Sequence, residues 1–149
     1  WDRFSLHTIA RLKGYQRALY ESGLLCNPKF IYDGDWSRKK GYGAAQELIR
    51  EGVTAIFAMN DEMANGVYDY VYEVGLEIGK DIALVGFDNR EMCTALRPSL
   101  TTVSIPLNEI GKSAASAIVN ELDNDISNPA HINRIKCQLI RRKSVQKIN

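Results

Sequence analysis

Thr54-Ala55-Ile56-Phe57-Ala58-Met59-Asn60-Asp61-Glu62-Met63 and Asp81-Ile82-Ala83-Leu84-Val85-Gly86-Phe87-Asp88-Asn89 decide the fold. Each stretch is a short apolar run that ends abruptly in acid and amide side chains. A run of that length, rich in Ile, Val and Phe, reads as a strand buried on both faces. Between the two runs, Met63, Val67, Val71 and Val74 recur at helical spacing, and Gly75 stops the helix. Strand, helix, strand in that order implies a right-handed crossover and parallel pairing.

The same alternation extends in both directions. Upstream, Leu12, Tyr15 and Leu19 mark one face of a helix closed by Gly23. Phe30-Ile31-Tyr32 reads as a short strand, and Ser37 as the cap of a helix carrying Tyr42, Ala45, Leu48 and Ile49 that ends near Gly52. Downstream, Leu100 to Ile105 is extended. Pro106 then suits the first position of a helix through Ile110, Ala114, Ile118 and Leu122. A polar loop follows from Asp123 to Asn133, and residues 135–143 suggest a final strand. The predicted class is α/β, a parallel sheet with helices on both faces.

The composition fits one domain. The chain has 149 residues, 45% hydrophobic and 25% charged, with a formal net charge of +1. It carries no basic stripe of the kind that neutralises a nucleic-acid backbone. The basic residues near the end, Arg134 to Lys147, fit a solvated strand face. Cys26, Cys93 and Cys137 are scattered and odd in number, which disfavours a disulfide framework and fits a reducing cytoplasm. No apolar run approaches the length of a membrane span.

In an open parallel sheet, ligands bind beyond the carboxyl ends of the strands. The three candidate strand exits are Asp33-Gly34-Asp35-Trp36, Asn60-Asp61-Glu62 and Asp88-Asn89-Arg90. Parallel neighbours bring them to one rim. Carboxylates and amides there exchange hydrogen bonds with hydroxyl groups, and Trp36 adds a flat apolar face. That combination suits a sugar-like ligand. Bland roles compete: Asp61 and Ser37 as helix caps, Asp88 as a turn former, Trp36 as a core or interface aromatic.

Enzymatic readings find less support. No Gly-x-Gly-x-x-Gly and no Gly-Lys-Ser/Thr phosphate loop follows a strand, so no nucleotide cofactor is expected. His7 and His131 are isolated and lack metal-ligand spacing. Asp33 and Asp35 could serve as an acid and a base only if their environments separated their pKa values.

The ordered motifs resemble the regulatory core of the lactose-repressor (LacI/GalR) family. They are Arg11-x-x-Gly14-Tyr15 with Ala18-Leu19 and Gly23-Leu24; Gly34-Asp35-Trp36-Ser37 with Gly41-Tyr42; Ala55 to Gly66; Asp81 to Asn89; Arg97-Pro98-Ser99-Leu100-Thr101-Thr102-Val103; and Glu109-x-Gly111-Lys112. The resemblance implies a periplasmic-binding-protein-like fold, of which residues 1–149 form the C-terminal lobe. The helix over 106–123 would belong to a second lobe across an effector cleft. It implies that Arg11, Asn60 and Asp88 hydrogen-bond the effector and that Trp36 lines the cleft. It also implies a regulator, a repressor, that senses a small carbohydrate-like molecule and forms a homodimer. Helix faces around Asn65, Tyr68, Asp69 and Tyr72, and the segment Met92 to Leu96, are the candidate dimer surfaces. Operator DNA would be met only by a helix-turn-helix, which this chain lacks. Effector binding would shift the population of lobe orientations. The family's usual Gln before Pro is replaced by Ile105. A further central strand is expected ahead of Trp1; without it, another segment must cover the outer edge of its neighbour. A transport receptor of similar fold and a carbohydrate-acting enzyme are the alternative readings.

Overall fold

The paired strands form at the two apolar runs. In the computed structural model, which describes residues 6–123 and 132–146, β1 (Ala55–Phe57) pairs in parallel with β2 (Ala83–Asp88), Ile56 opposite Leu84. β2 pairs in parallel with β3 (Thr101–Ser104), which sets Gly86 beside Thr102 and Asp88 beside Ser104. The sheet order is β1-β2-β3-β4. The last strand, β4 (Gln138–Ile140), runs antiparallel to β3, so the sheet is mixed and not wholly parallel. It is also shorter than the expected 135–143. Ile135 to Cys137 and the residues after Ile140 leave the ladder. Arg142 and Ser144 then turn inward, where Arg142 N–H donates to Thr101 Oγ1 and Ser144 is fully buried. Ser144 Oγ donates to the Leu84 carbonyl and accepts from Thr101 N–H, so a polar group deep in the sheet is fully satisfied.

Among the described residues five helices flank these strands: α1 (Leu6–Glu21), α2 (Arg38–Arg50), α3 (Asp61–Glu73), α4 (Met92–Ala95) and α5 (Leu107–Asp123). Strand alternation sorts the faces. Ile56 and Leu84 point into a core shared with Ala45 and Leu48 of α2 and Val67, Tyr68 and Val71 of α3. Each large aliphatic side chain removed from water there contributes about 1.5–3 kcal/mol. Phe57 turns the other way and stacks on Tyr15 of α1, ring centroids 6.5 Å apart. α2 and α3 meet backbone to backbone. A Cβ on Gly66 would lie 1.9 Å from the Arg38 carbonyl oxygen, and one on Gly41 would lie 2.1 Å from that of Met63. Salt-bridged Arg38–Asp69 (2.6 Å) and the Tyr42 hydroxyl donating to Glu73 (2.8 Å) flank this contact.

Several expectations are corrected. Phe30-Ile31-Tyr32 is not a strand: Pro28–Phe30 is a single 3-10 turn capped by Asn27, and Ile31 is extended without a ladder partner. The reason is the lack of a neighbour. Among the described residues no strand pairs with the outer edge of β1. A cavity of about 400 Å³ separates Ala55–Ala58 from Phe30–Tyr32, with Leu12, Tyr15 and Leu19 of α1 along its wall. No described segment fills the place of the expected extra strand. Tyr68 does not face outward. It is 2% exposed, its hydroxyl donates to the Pro98 carbonyl at 2.6 Å, and burial raises its pKa. Asn60, not Asp61, caps α3, with its side chain accepting from Met63 N–H. Ser37 caps α2 as expected. His131 and the polar loop over 124–131 lie outside the described residues.

The backbone contact between α2 and α3 leaves no room for a methyl group. Gly66→Ala is therefore expected to lower unfolding stability by roughly 3 kcal/mol, at the upper end of ordinary overpacking. Urea denaturation followed by circular dichroism checks this; a midpoint unchanged from wild type would show that the two helices can separate freely.

Candidate functional site

The carboxyl ends of β1 and β2, the loop before α2 and the first half of α1 meet around Arg11. α1 starts at this rim and brings Arg11, two turns of helix or less from its start, over the strand ends. Its guanidinium donates to the carbonyl of Met59, just past β1. A second nitrogen lies 3.8 Å from Asp88 Oδ1 at the end of β2. The guanidinium carbon sits 3.8 Å from the Phe87 ring centroid and 5.2 Å from that of Trp36. A planar cation between two aromatic faces is well matched to the ring quadrupoles.

Backbone strain concentrates here. Trp36, Asp88 and Asn89 have φ of 68°, 111° and 58°, the left-handed region that L side chains other than Asn and Asp rarely adopt. Such residues cost on the order of 1–3 kcal/mol each and persist only where surrounding structure holds them. Trp36 is held by Asn60, whose Nδ2 donates to the Trp36 carbonyl at 3.0 Å. Asn60 also caps α3 through its Oδ1 (2.8 Å to Met63 N) and is buried. Its amide therefore works as a strut between β1, α3 and the Trp36 loop.

Electrostatics reinforce this picture. Burial lowers the pKa of Arg11, and the nearby Asp88 carboxylate only partly opposes the shift. Burial likewise raises the pKa of Asp88, with Asp61 pushing the same way and Arg11 and Arg90 opposing. Both charges are thus less comfortable than in water, which is the condition in which additional hydrogen bonds from a bound molecule are most valuable. Asp35 differs: it is fully exposed, and the Ser37 hydroxyl hydrogen-bonded to its carboxylate lowers its pKa. Asp35 is a local loop clasp, accepting from both the amide and the hydroxyl of Ser37.

Arg11, Trp36, Asn60 and Asp88 are thus brought together, although they are not equivalent. Arg11 and Asp88 are half-buried side chains at the rim, Trp36 is a partly exposed wall, and Asn60 lies underneath. The adjoining cavity of about 300 Å³ is lined by Thr8, Leu12, Asp33, Trp36, Met59 and Met63 among others, and includes Trp36 alone of the four. The sequence reading missed Phe87, the Met59 carbonyl and the role of Asp61. Strand alternation could have found Phe87: the Cβ position of Gly86 is turned toward Asp61 of α3, so the next residue of β2 faces α1, where Phe87 meets Arg11. Among the described residues no group of three His, Cys, Asp or Glu side chains could hold a metal, and no helix is long and apolar enough to cross a membrane.

Comparison with known proteins gives consistent matches over nearly the whole chain. The family of periplasmic binding protein-like domains matches residues 2–145. Catabolite control protein A of Priestia megaterium is 38% identical over 117 residues, 77% of this chain and 35% of that protein. A sugar-binding transcriptional regulator of the LacI family from Escherichia coli, solved with phosphate, superposes with a TM-score of 0.86 at 31% identity, covering 97% of this chain and 52% of the other. A LacI family regulator from Enterococcus faecium, solved with bound ribose, superposes with a TM-score of 0.78 at 28% identity, covering 91% and 51%. The chain spans roughly 35% to 42% of the length of the curated relatives that head the comparison.

Because the Asp88 pKa is raised in the fold, its contribution to stability is fully present below the ordinary carboxylate pKa and is lost as pH rises through the folded value. Asp88→Asn removes the buried charge and keeps a residue that tolerates positive φ. It is expected to raise the melting temperature at pH 7, with the gain shrinking toward pH 4. Thermal unfolding across that range reads the difference, and a variant less stable than wild type at pH 7 would contradict the sign.

Proposed function

The chain belongs to the family of periplasmic binding protein-like domains, and from that premise we propose that it is the effector-sensing region of a LacI-type transcriptional regulator, a repressor, acting in the cytoplasm. The observation that carries the reading is the Arg11 cluster. A fixed guanidinium, a carboxylate and an indole face one rim, the two charged groups partly desolvated. Hydroxyl groups of a sugar are both donors and acceptors. They match a carboxylate that accepts and a guanidinium that donates, while a ring C–H face matches Trp36. Names of relatives support a sugar-sensing or phosphate-tolerant regulator over an enzyme: those reported above are regulatory proteins, and two solved regulators hold ribose and phosphate.

The rim is one side of a cleft in this reading. Leu107, Ile110, Ile118, Val119 and Leu122 of α5 are 41–81% exposed, a row of apolar side chains that supports packing of α5 on a facing lobe. The effector would then be held between lobes, and its preference for one relative orientation would shift the population. DNA contact is assigned to another part of the full-length protein, since this region carries a net charge of only +1. A second copy of the chain is the proposed partner at the exposed side of α3 around Asn65 and Tyr72, with Tyr68 removed from that surface by its burial.

Calorimetry and thermal shift with D-ribose, hexoses and sugar phosphates test this. A true effector at a hundredfold excess over its Kd stabilises by about 2.7 kcal/mol, which is on the order of 5–10 °C for a domain of this size. Arg11→Ala and Asp88→Ala are each expected to weaken binding at least about 30-fold, the scale of a lost charge-assisted hydrogen bond, while the core between α2, α3 and the strands, which neither residue enters, stays folded. Affinity should also fall in acid as Asp88 protonates, and Asp88→Asn should flatten that dependence. Sugar affinity unchanged in both alanine variants would remove the site.

A further inference from the structure

Beneath the rim lies a carboxylate that no ligand could touch. Asp61, the first residue of α3, is fully buried. Its Oδ1 accepts from the Thr102 hydroxyl at 2.6 Å, and its Oδ2 accepts from Arg90 N–H at 2.8 Å. The Cys93 thiol also hydrogen-bonds to it, and burial with that bond pushes the thiol pKa up to about 12. The carboxylate reaches this place because β2 carries glycine there: a Cβ on Gly86 would lie 2.4 Å from Asp61 Oδ1.

The turn it grips is the strained one. Asp88 and Asn89 both sit at positive φ. Residue 90 is the first after them, and its amide is fixed by Asp61. From the other side, Arg142 donates to Asn89 Oδ1 at 2.8 Å and to the Leu100 carbonyl at 2.8 Å, and Asn89 Nδ2 reaches Ser104 Oγ at 3.3 Å. The Asp88 side chain itself faces Arg11 at 3.8 Å, too long for a tight hydrogen bond. Its direction is therefore set by the backbone, and the backbone by these anchors.

We infer that Asp61 is a positioning residue for effector recognition: by accepting the Arg90 amide and the Thr102 hydroxyl it locks the Asp88–Arg90 turn in its left-handed conformation and so aims Asp88 into the site. The inference rests on the proposed sugar site. It separates acceptor geometry from charge. An asparagine at 61 keeps an acceptor for the Arg90 amide and turns its NH2 to Thr102, whose hydroxyl can accept instead of donate. An alanine leaves the Arg90 donor with nothing, and the turn loses its hold.

The test uses the full chain, with D-ribose as probe and two readouts: calorimetric Kd, and amide hydrogen exchange at Asn89 and Arg90 without ligand. For Asp61→Ala, Arg90 exchange should accelerate and ribose affinity weaken, each by about tenfold to a hundredfold. For Asp61→Asn, both should stay within about threefold of wild type, a rescue that general destabilisation would not produce. If Asp61→Ala fails to fold, Thr102→Val, which keeps the β-branched shape, should accelerate Arg90 exchange and weaken ribose binding by about three- to tenfold. Wild-type affinity in Asp61→Ala, or equal damage in the Asn and Ala variants, overturns the inference while the sugar site stands. If ribose does not bind, the same readouts are taken with whichever hexose or sugar phosphate does; a wild-type protein that binds none of them, with Arg90 nonetheless protected, removes the sugar reading and with it the role of Asp61 in aiming Asp88.

Discussion

The guanidinium of Arg11 is gripped from four directions, and this grip orders the carboxyl end of the sheet. The Met59 carbonyl ties it to β1, Asp88 and Phe87 tie it to β2, and Trp36 closes over it from the loop before α2. α1 shows few other deep contacts: Thr8 is its one buried residue, and Leu12, Tyr15 and Leu19 border a cavity. The helix is thus held on the sheet mainly at this rim and by the Tyr15–Phe57 stack. A cation in that setting would be expensive to bury without partners, and each of its neighbours reduces the cost.

Under the rim a second polar layer does for the backbone what Arg11 does for the side chains. Asn60 fixes the Trp36 carbonyl, Asp61 fixes the Arg90 amide, and Arg142 fixes the Asn89 side chain. Neighbouring positions on one strand exit thus have distinct work. Asn60 braces the loop on one side and Asp61 the turn on the other, while Asp88 and Trp36 remain at the surface. Among the described residues no buried side-chain polar atom lacks a hydrogen-bond partner. Polar networks of this kind fix one conformation only when every member is satisfied. The left-handed backbone at Trp36, Asp88 and Asn89 is the local strain that this network sustains.

Much of this was legible in the sequence, for reasons that differ residue by residue. Ile56 and Leu84 sit in runs that only a two-face-buried strand explains, and their pairing follows from the intervening helix. Ser37 reads as a cap and is one. Phe30-Ile31-Tyr32 has the composition of a strand, yet pairing is a property of neighbours, and the adjacent edge of β1 stands across a cavity. Asn60 and Asp61 are adjacent polar residues before a helix, and propensity cannot say which one caps. The answer depends on Gly86, remote in sequence, whose missing Cβ gives Asp61 its place. Tyr68 followed helical spacing to an outward assignment, but the chain from Leu96 to Ser99 covers that side of α3 and supplies the Pro98 carbonyl. Local pattern locates elements; long-range contacts decide which side chains are free.

A rim built this way has consequences for how a small molecule would be discriminated. Arg11 already has a carbonyl and two aromatic faces, so its orientation is set before anything binds, and little rotamer entropy remains to be lost. Asp88 is likewise aimed by a turn whose anchors are buried. A ligand meeting two fixed groups is selected by the spacing and direction of its hydroxyls, since an analogue lacking one would leave a desolvated charge unpaired. The apolar row on α5 and the open side of the rim place the remaining contacts on whatever faces them. Selectivity in this arrangement resides in the rigid half, and the conformational response resides in how far the facing surface must travel to complete it.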